Sequence, residues 1–278
     1  MLPNLIKRAV TGLFFVLVMV GGIIYSPNSF FVLFALITLL TLREFYALIN
    51  NHLNTSINVW LNAIVGTAFF CIFTLVQLGT VSFSYVLLAP FLLYYCYIFV
   101  KELYNQKTEP LKNLAYTVLG QFYITIPFSL LSLLACLPLD GDTSYKWVPV
   151  IAIFIFIWMN DSGAYLVGSQ LGKRRLFERI SPKKSWEGFW GGLIFAVLSS
   201  ALFGYLVPVL SIPIWMGLAL TVSVAGVFGD LTESMMKRIL GVKDSGNILP
   251  GHGGMLDRFD AILFAIPAAI IYLSLFIF

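Results

Sequence analysis

Between Gly229 and Asp260 the chain reads GDLTESMMKRILGVKDSGNILPGHGGMLDRFD, a stretch in which acids, bases and glycines are interleaved as phosphate and metal chemistry requires. Nine of the thirty Asp, Glu, Lys and Arg residues fall there in a chain that is 59% hydrophobic, and no lipid-embedded helix needs them. Mg²⁺ takes oxygen ligands, usually one or two protein carboxylates completed by substrate phosphates and water. Asp230, Asp257 and Asp260 are the candidate metal ligands, and the last two, three residues apart, share one face of a helix. With Lys237 they form the candidate catalytic set. Lys237, Arg238, Lys243 and Arg258 carry the charge to neutralise phosphate, and Asp244 completes the polar run. Gly251, Gly253 and Gly254 let backbone amides approach an anion closely. His252 among those glycines could donate to a phosphate or act as a general acid; a lone histidine in a loop can equally be only hydrogen-bonded.

Two other stretches break the apolar pattern. In WMNDSGAYLVGSQLG, Asn160 and Asp161 lie inside an otherwise apolar run. A carboxylate there costs roughly 2.5–3.5 kcal/mol on insertion scales and so faces a cavity or a partner. Interfacial water about two helical turns away is the alternative destination. Gly163, Gly168 and Gly172 read as sites of close helix packing. In LGKRRLFERISPKKSWEG six basic residues lie between Lys173 and Lys184. A juxtamembrane basic patch attracts anionic headgroups, and Arg174, Arg175 and Arg179 need no other role. Ser181-Pro182 reads as a structure-breaking turn that aims Lys183, Lys184 and Ser185 at a polyphosphate, with the following helix N-terminus adding its amides. Neither GxxxxGK[ST] nor a dinucleotide fingerprint is present.

The elements that must position these residues follow from composition. A mean hydropathy of +0.91 and 25 Phe in 278 residues describe a chain that dissolves in bilayer. Spans of roughly 20 apolar residues are needed to cross. The sequence offers about nine, near 9–25, 30–42, 57–78, 84–100, 114–137, 148–168, 189–207, 214–228 and 261–278. The expected fold is therefore an all-α polytopic integral membrane protein. With the N-terminus in the cytoplasm, sixteen of the 17 Lys and Arg residues fall on the cytoplasmic side and only Lys146 outside. The C-terminus then lies on the opposite side, and the three polar stretches share the cytoplasmic face. The first run follows Lys7-Arg8 with no small-residue cleavage site after it, so it reads as a span. Residues 1–147 form an N-terminal scaffold of about five helices without a constellation that suggests chemistry. Residues 148–278 form the catalytic region, with cytoplasmic loops 170–188 and 229–260.

Cys71, Cys96 and Cys136 all fall in expected spans at spacings unlike a metal site, as small buried apolar residues do. His52 lies in a polar loop and receives no role. The net charge of +4 restates the basic inner face, which suits anionic lipid and nucleotide and not nucleic acid.

The run Ser234-x2-Lys237-Arg238-x4-Lys243-Asp244-x-Gly246-x3-Pro250-Gly251-His252-Gly253-Gly254-x2-Asp257-Arg258-x-Asp260 resembles the signature of the phosphatidate cytidylyltransferases, or CDP-diacylglycerol synthases, with every spaced position filled. NDSGAY and SPKKSWEG resemble the same family, so the motif likeness covers the chain from about Val148. The resemblance implies transfer of the cytidylyl group of CTP to phosphatidic acid, with Mg²⁺ as cofactor, giving CDP-diacylglycerol and pyrophosphate for phospholipid synthesis. It implies metal at Asp230 and Asp257 with Asp260 in support, phosphate contacts at Lys183, Lys184, Lys237 and Arg258, and Asp161 lining the cavity. Membrane lipids surround such an enzyme, a homodimer is suggested, and an uncleaved first span points to a bacterial inner membrane. Two rivals remain at the level of sequence. A polyprenol or dolichol kinase would transfer the γ-phosphate instead, while the DGxxAR…GxxxDxxxD motif of CDP-alcohol phosphotransferases is absent. A transporter or flippase would also carry apolar spans with an intramembrane aspartate, but would place its site at the midplane between repeats.

Overall fold

The computed structural model describes residues 2–105, 109–138, 141–248 and 253–277, with side chains from residue 10 to 276. Among them, eight helices are long and apolar enough to cross a membrane, and the shorter apolar helix Val10–Tyr25 precedes them. The chain is a polytopic helical membrane protein, as its composition requires.

The chain divides into two compact units, residues 1–133 with 240–258, and residues 134–239 with 259–278. Residues 240–258 fall in the first unit, where a carboxylate on the second helix, Glu44, accepts hydrogen bonds from Ser245, Met255 and Leu256.

The first unit holds α1 (Leu2–Tyr25), α2 (Pro27–His52), α3 (Val59–Gln77), α4 (Ala89–Leu103), α5 (Pro110–Gly120) and most of α6 (Ile126–Ala135). Ser26 starts α2: its hydroxyl accepts from Ser29 N–H at 3.0 Å, its own N–H donates to the Ser29 hydroxyl at 2.9 Å, and Pro27 follows at the first position. α2 is longer than the span expected over 30–42. Arg43 and Glu44 interrupt the hydropathy but not the helix, which runs on to His52. α5 and α6 form one rod, Pro110–Ala135, joined by a π-turn at Gln121–Thr125. There the Gln121 amide donates to the Tyr46 hydroxyl at 3.1 Å and the Asn62 carbonyl at 2.9 Å, while Thr125 donates back to Gln121 at 2.8 Å. Phe30, Phe34, Phe45, Phe70 and Phe128 fill the unit's core. Leu92, Leu93, Tyr95 and Phe99 face outward on α4, as lipid permits.

The second unit holds α7 (Trp147–Leu171), the hairpin β1 (Arg175–Phe177) and β2 (Ser181–Ser185), α8 (Trp186–Leu206), α9 (Ile212–Ile239) and α10 (Leu256–Ile277) from Phe259 onward. Two expectations are corrected. Ser181-Pro182 begins a strand, not a turn, with Arg175 paired to Ser185 and Phe177 to Ser181. The polar segment beginning at 229 is not all loop either, since α9 continues eleven residues past Phe228 and puts Asp230 to Arg238 on a helix. Continuous backbone hydrogen bonding lets a helix carry charged residues at a span end without breaking. α10 likewise starts before Ala261, so Asp257 and Asp260 do lie on one helix.

Small residues bring the second unit's helices together. A Cβ on Gly168 would stand 3.3 Å from the Gly188 Cα, so α7 and α8 pack backbone against backbone, the role expected of Gly168. A Cβ on Gly229 would strike the Asp260 carbonyl oxygen and lie 3.2 Å from the Ala261 Cα, so α9 meets α10 beside Asp230.

Candidate functional site

Three devices fix the start of α8 and the hairpin before it. The Ser185 hydroxyl caps the helix, accepting from Gly188 N–H at 3.1 Å. Glu187, in the positive first turn, accepts from Lys173 N–H at 3.0 Å and from Arg174 N–H at 3.2 Å. Arg238, at the end of α9, donates its Nε to the Ile180 carbonyl at 3.3 Å and ties that helix to the hairpin.

These restraints frame a cavity of about 540 Å³ whose lining includes Asn160, Asp161, Lys183, Lys184 and Ser185. All five of the substrate-binding candidates from the two upstream motifs therefore come together in one place. Asn160 is buried, and its side-chain oxygen, which a Cβ on Gly192 of α8 would approach to 2.7 Å, has no hydrogen-bond partner among the described residues. Asp161 is exposed toward it. Arg175 adds a further cation that sequence reasoning had left as a general membrane contact.

Lys184 links the cavity to a group of acids. Its ammonium is ion-paired with Asp230, and Asp230, Glu233 and Asp260 each place one carboxylate oxygen within 4.8 Å of the others. Lys237 pairs with Glu233 at 2.5 Å across one helical turn, and the Ser234 hydroxyl donates to Asp230 at 3.2 Å. Repulsion among three close carboxylates is offset by the two lysines, while the oxygen-only donor set suits a hard divalent cation. Two of the three expected metal carboxylates, Asp230 and Asp260, are in this group.

Glu233 was missed. Its signal was legible only once α9 extends past Phe228, since it then stands one turn from both Asp230 and Lys237. Asp257, the third expected ligand, has a different described engagement: its Oδ2 accepts from Ser245 N–H at 3.0 Å and Gly254 N–H at 2.7 Å, closing the glycine-rich loop of the first unit. Gly253 in that loop has φ of +82°, which glycine adopts freely. Lys243, Asp244 and Arg258 are exposed on the same segment. His252 and Gly251 lie outside the described residues.

The cytidylyltransferase family matches residues 6–276. A Bacillus subtilis (strain 168) protein named phosphatidate cytidylyltransferase is 53% identical over 124 residues, 44% of this chain and 46% of its own. Proteins of that name from Staphylococcus aureus (strain COL) and Staphylococcus epidermidis (strain ATCC 12228) are each 46% identical, over 119 and 120 residues, again covering 42% of this chain and 46% of theirs. The aligned stretch thus spans a little under half the length of these relatives. The family match covers almost the whole chain, from before the first span to the end of α10, and on that extent the chain belongs to the cytidylyltransferase family.

Proposed function

We propose that this chain transfers the cytidylyl group of CTP to phosphatidic acid, forming CDP-diacylglycerol and releasing pyrophosphate. The observation that carries the proposal is the ion pair joining Lys184, a cavity residue, to Asp230 of the acidic group, because cations beside an oxygen-only donor set suit a phosphate substrate with a divalent cation. The names of the relatives and the full signature support the same substrates.

In this reaction an oxygen of the lipid phosphate bonds to the α-phosphorus of CTP while the bond from that phosphorus to the bridging oxygen breaks, and the electron pair leaves with pyrophosphate. The attacking phosphate is already anionic at neutral pH, so no side chain needs to act as a strong base. Lys183 and Lys184 hold the anionic substrates in the cavity and balance charge that grows on the departing group. Lys237, paired with Glu233, holds that carboxylate in place. Asp230, Glu233 and Asp260 would hold Mg²⁺, which when bound supplies Lewis-acid stabilisation of phosphate charge. Asn160 and Asp161 line the cavity and are the polar contacts proposed for substrate there. The signature alone supports Lys243, Asp244, His252, Gly253, Gly254 and Arg258 as further substrate contacts, while Asp257 accepts hydrogen bonds from Ser245 and Gly254 within the same segment.

CTP is water-soluble and phosphatidate is not, so the reaction belongs at the headgroup level of the membrane; the basic loops favour its cytoplasmic face, the bacterial relatives favour a bacterial inner membrane, and the family resemblance suggests a homodimer. The test uses purified protein in detergent micelles with phosphatidate, Mg²⁺ and CTP labelled at either the α- or the γ-phosphate. Label from the α position in a lipid product supports the proposal. Label from the γ position alone makes the protein a lipid kinase. No transfer by folded protein removes the enzymatic reading and favours a transporter.

A further inference from the structure

The first half of the chain holds one buried carboxylate whose partners all lie more than two hundred residues away. Glu44, about two turns before the end of α2, is 6% exposed. Its Oε1 accepts from the Ser245 hydroxyl and from Leu256 N–H at 3.0 Å, and its Oε2 accepts from Met255 N–H at 2.8 Å. The two amides belong to the start of α10, where helix N–H groups lack partners within the helix and the macrodipole favours an anion. A residue near the helix start normally supplies that cap; here α2 supplies it.

The neighbouring glycines fit the same contact. A Cβ on Gly246 would lie 2.6 Å from Glu44 Oε2 and 2.7 Å from its Cδ, and one on Gly254 would collide with the Glu44 carboxylate and the Ser245 hydroxyl. These two signature glycines are thus explained by the approach of a side chain outside the signature. Ser245 is held twice, by its hydroxyl on Glu44 and by its N–H on Asp257. Two carboxylates therefore fold one loop, and both act on its backbone.

We infer that Glu44 is a positioning residue for the signature segment, holding Ser245, Met255 and the first turn of α10, the turn that carries Asp257 and Arg258. Its consequence for turnover rests on the cytidylyl-transfer reading; its consequence for the loop does not. Among the described residues the Glu44 carboxylate accepts its hydrogen bonds from this loop and the start of α10, so its removal acts on that segment and not on the helix core around α2.

The experiment compares wild type with Glu44→Gln, which preserves shape but brings an amide NH₂ against backbone donors. Hydrogen–deuterium exchange in detergent should rise about tenfold or more in residues 243–258, with the rest of the chain unchanged. In the transfer assay kcat/KM should fall about tenfold or more, with KM for CTP or phosphatidate raised at least about threefold. A loss of stability alone would lower the active fraction and leave both KM values unmoved. Unchanged exchange in 243–258 overturns the inference, as does a rise spread over the whole chain with unaltered KM. If Glu44→Gln does not fold, Ser245→Ala removes one donor and is read by the same criteria. If the wild type transfers no label, the function proposed above fails, and exchange alone decides: a local rise supports the loop-holding role and no rise overturns it.

Discussion

Glu44 and Glu233 are both buried glutamates in apolar helices, 6% and 0% exposed, and they have opposite surroundings. Glu44, in the first unit, is surrounded by donors: two backbone amides and a hydroxyl. Glu233, in the second, is grouped with two further carboxylates and held by a lysine. A carboxylate that accepts several fixed hydrogen bonds is satisfied and organises backbone. One crowded by like charges is poised to gain from a cation that arrives. Burial of a charge thus does not separate structural from chemical roles, whereas the sign and kind of its neighbours do.

Substitutions within the second unit should break function without disturbing the loop. Asp230→Asn removes a carboxylate from the acidic group and the partner of Lys184, and it should reduce lipid labelling by about 10²–10³-fold in protein that retains its thermal unfolding temperature. Lys184→Ala leaves the acidic group in place but removes the cation that joins it to the cavity. Initial rates over a range of CTP concentrations should show kcat/KM lower by about 10–100-fold, with a weaker dependence on ionic strength than the wild type shows. Arg238→Ala should do least. Its Nε is spent on the Ile180 carbonyl, so less than about a threefold change in turnover is expected. A larger loss in that variant would restore Arg238 to the substrate contacts anticipated from its place in the signature.

Much of the second unit could be read from sequence because its polar residues violate the composition around them. Asn160, Asp161, Lys183, Lys184 and Ser185 stand out in an apolar chain, and the fold gathers all five around one cavity. Glu233 was hidden because a charged stretch after Phe228 reads as loop, whereas α9 carries its hydrogen-bonded ladder through to Ile239. Lost with the helix was the one-turn spacing that joins Asp230, Glu233 and Lys237. Glu44 was hidden for a different reason. Its partners are two backbone amides and a serine, groups that leave no charge pattern, and they lie across a sequence separation that no local periodicity spans. The hairpin escaped notice because Pro182 marks a turn in most contexts, yet here it sits in a strand of a two-stranded sheet, where an edge tolerates a missing donor.

If Glu233 belongs to the reacting site, Glu233→Gln at matched amounts of folded protein should transfer α-label from CTP to phosphatidate about 10²-fold or more slowly than wild type, with exchange in residues 243–258 unaltered. Transfer at the wild-type rate would instead make the carboxylate group a structural ion-pair cluster.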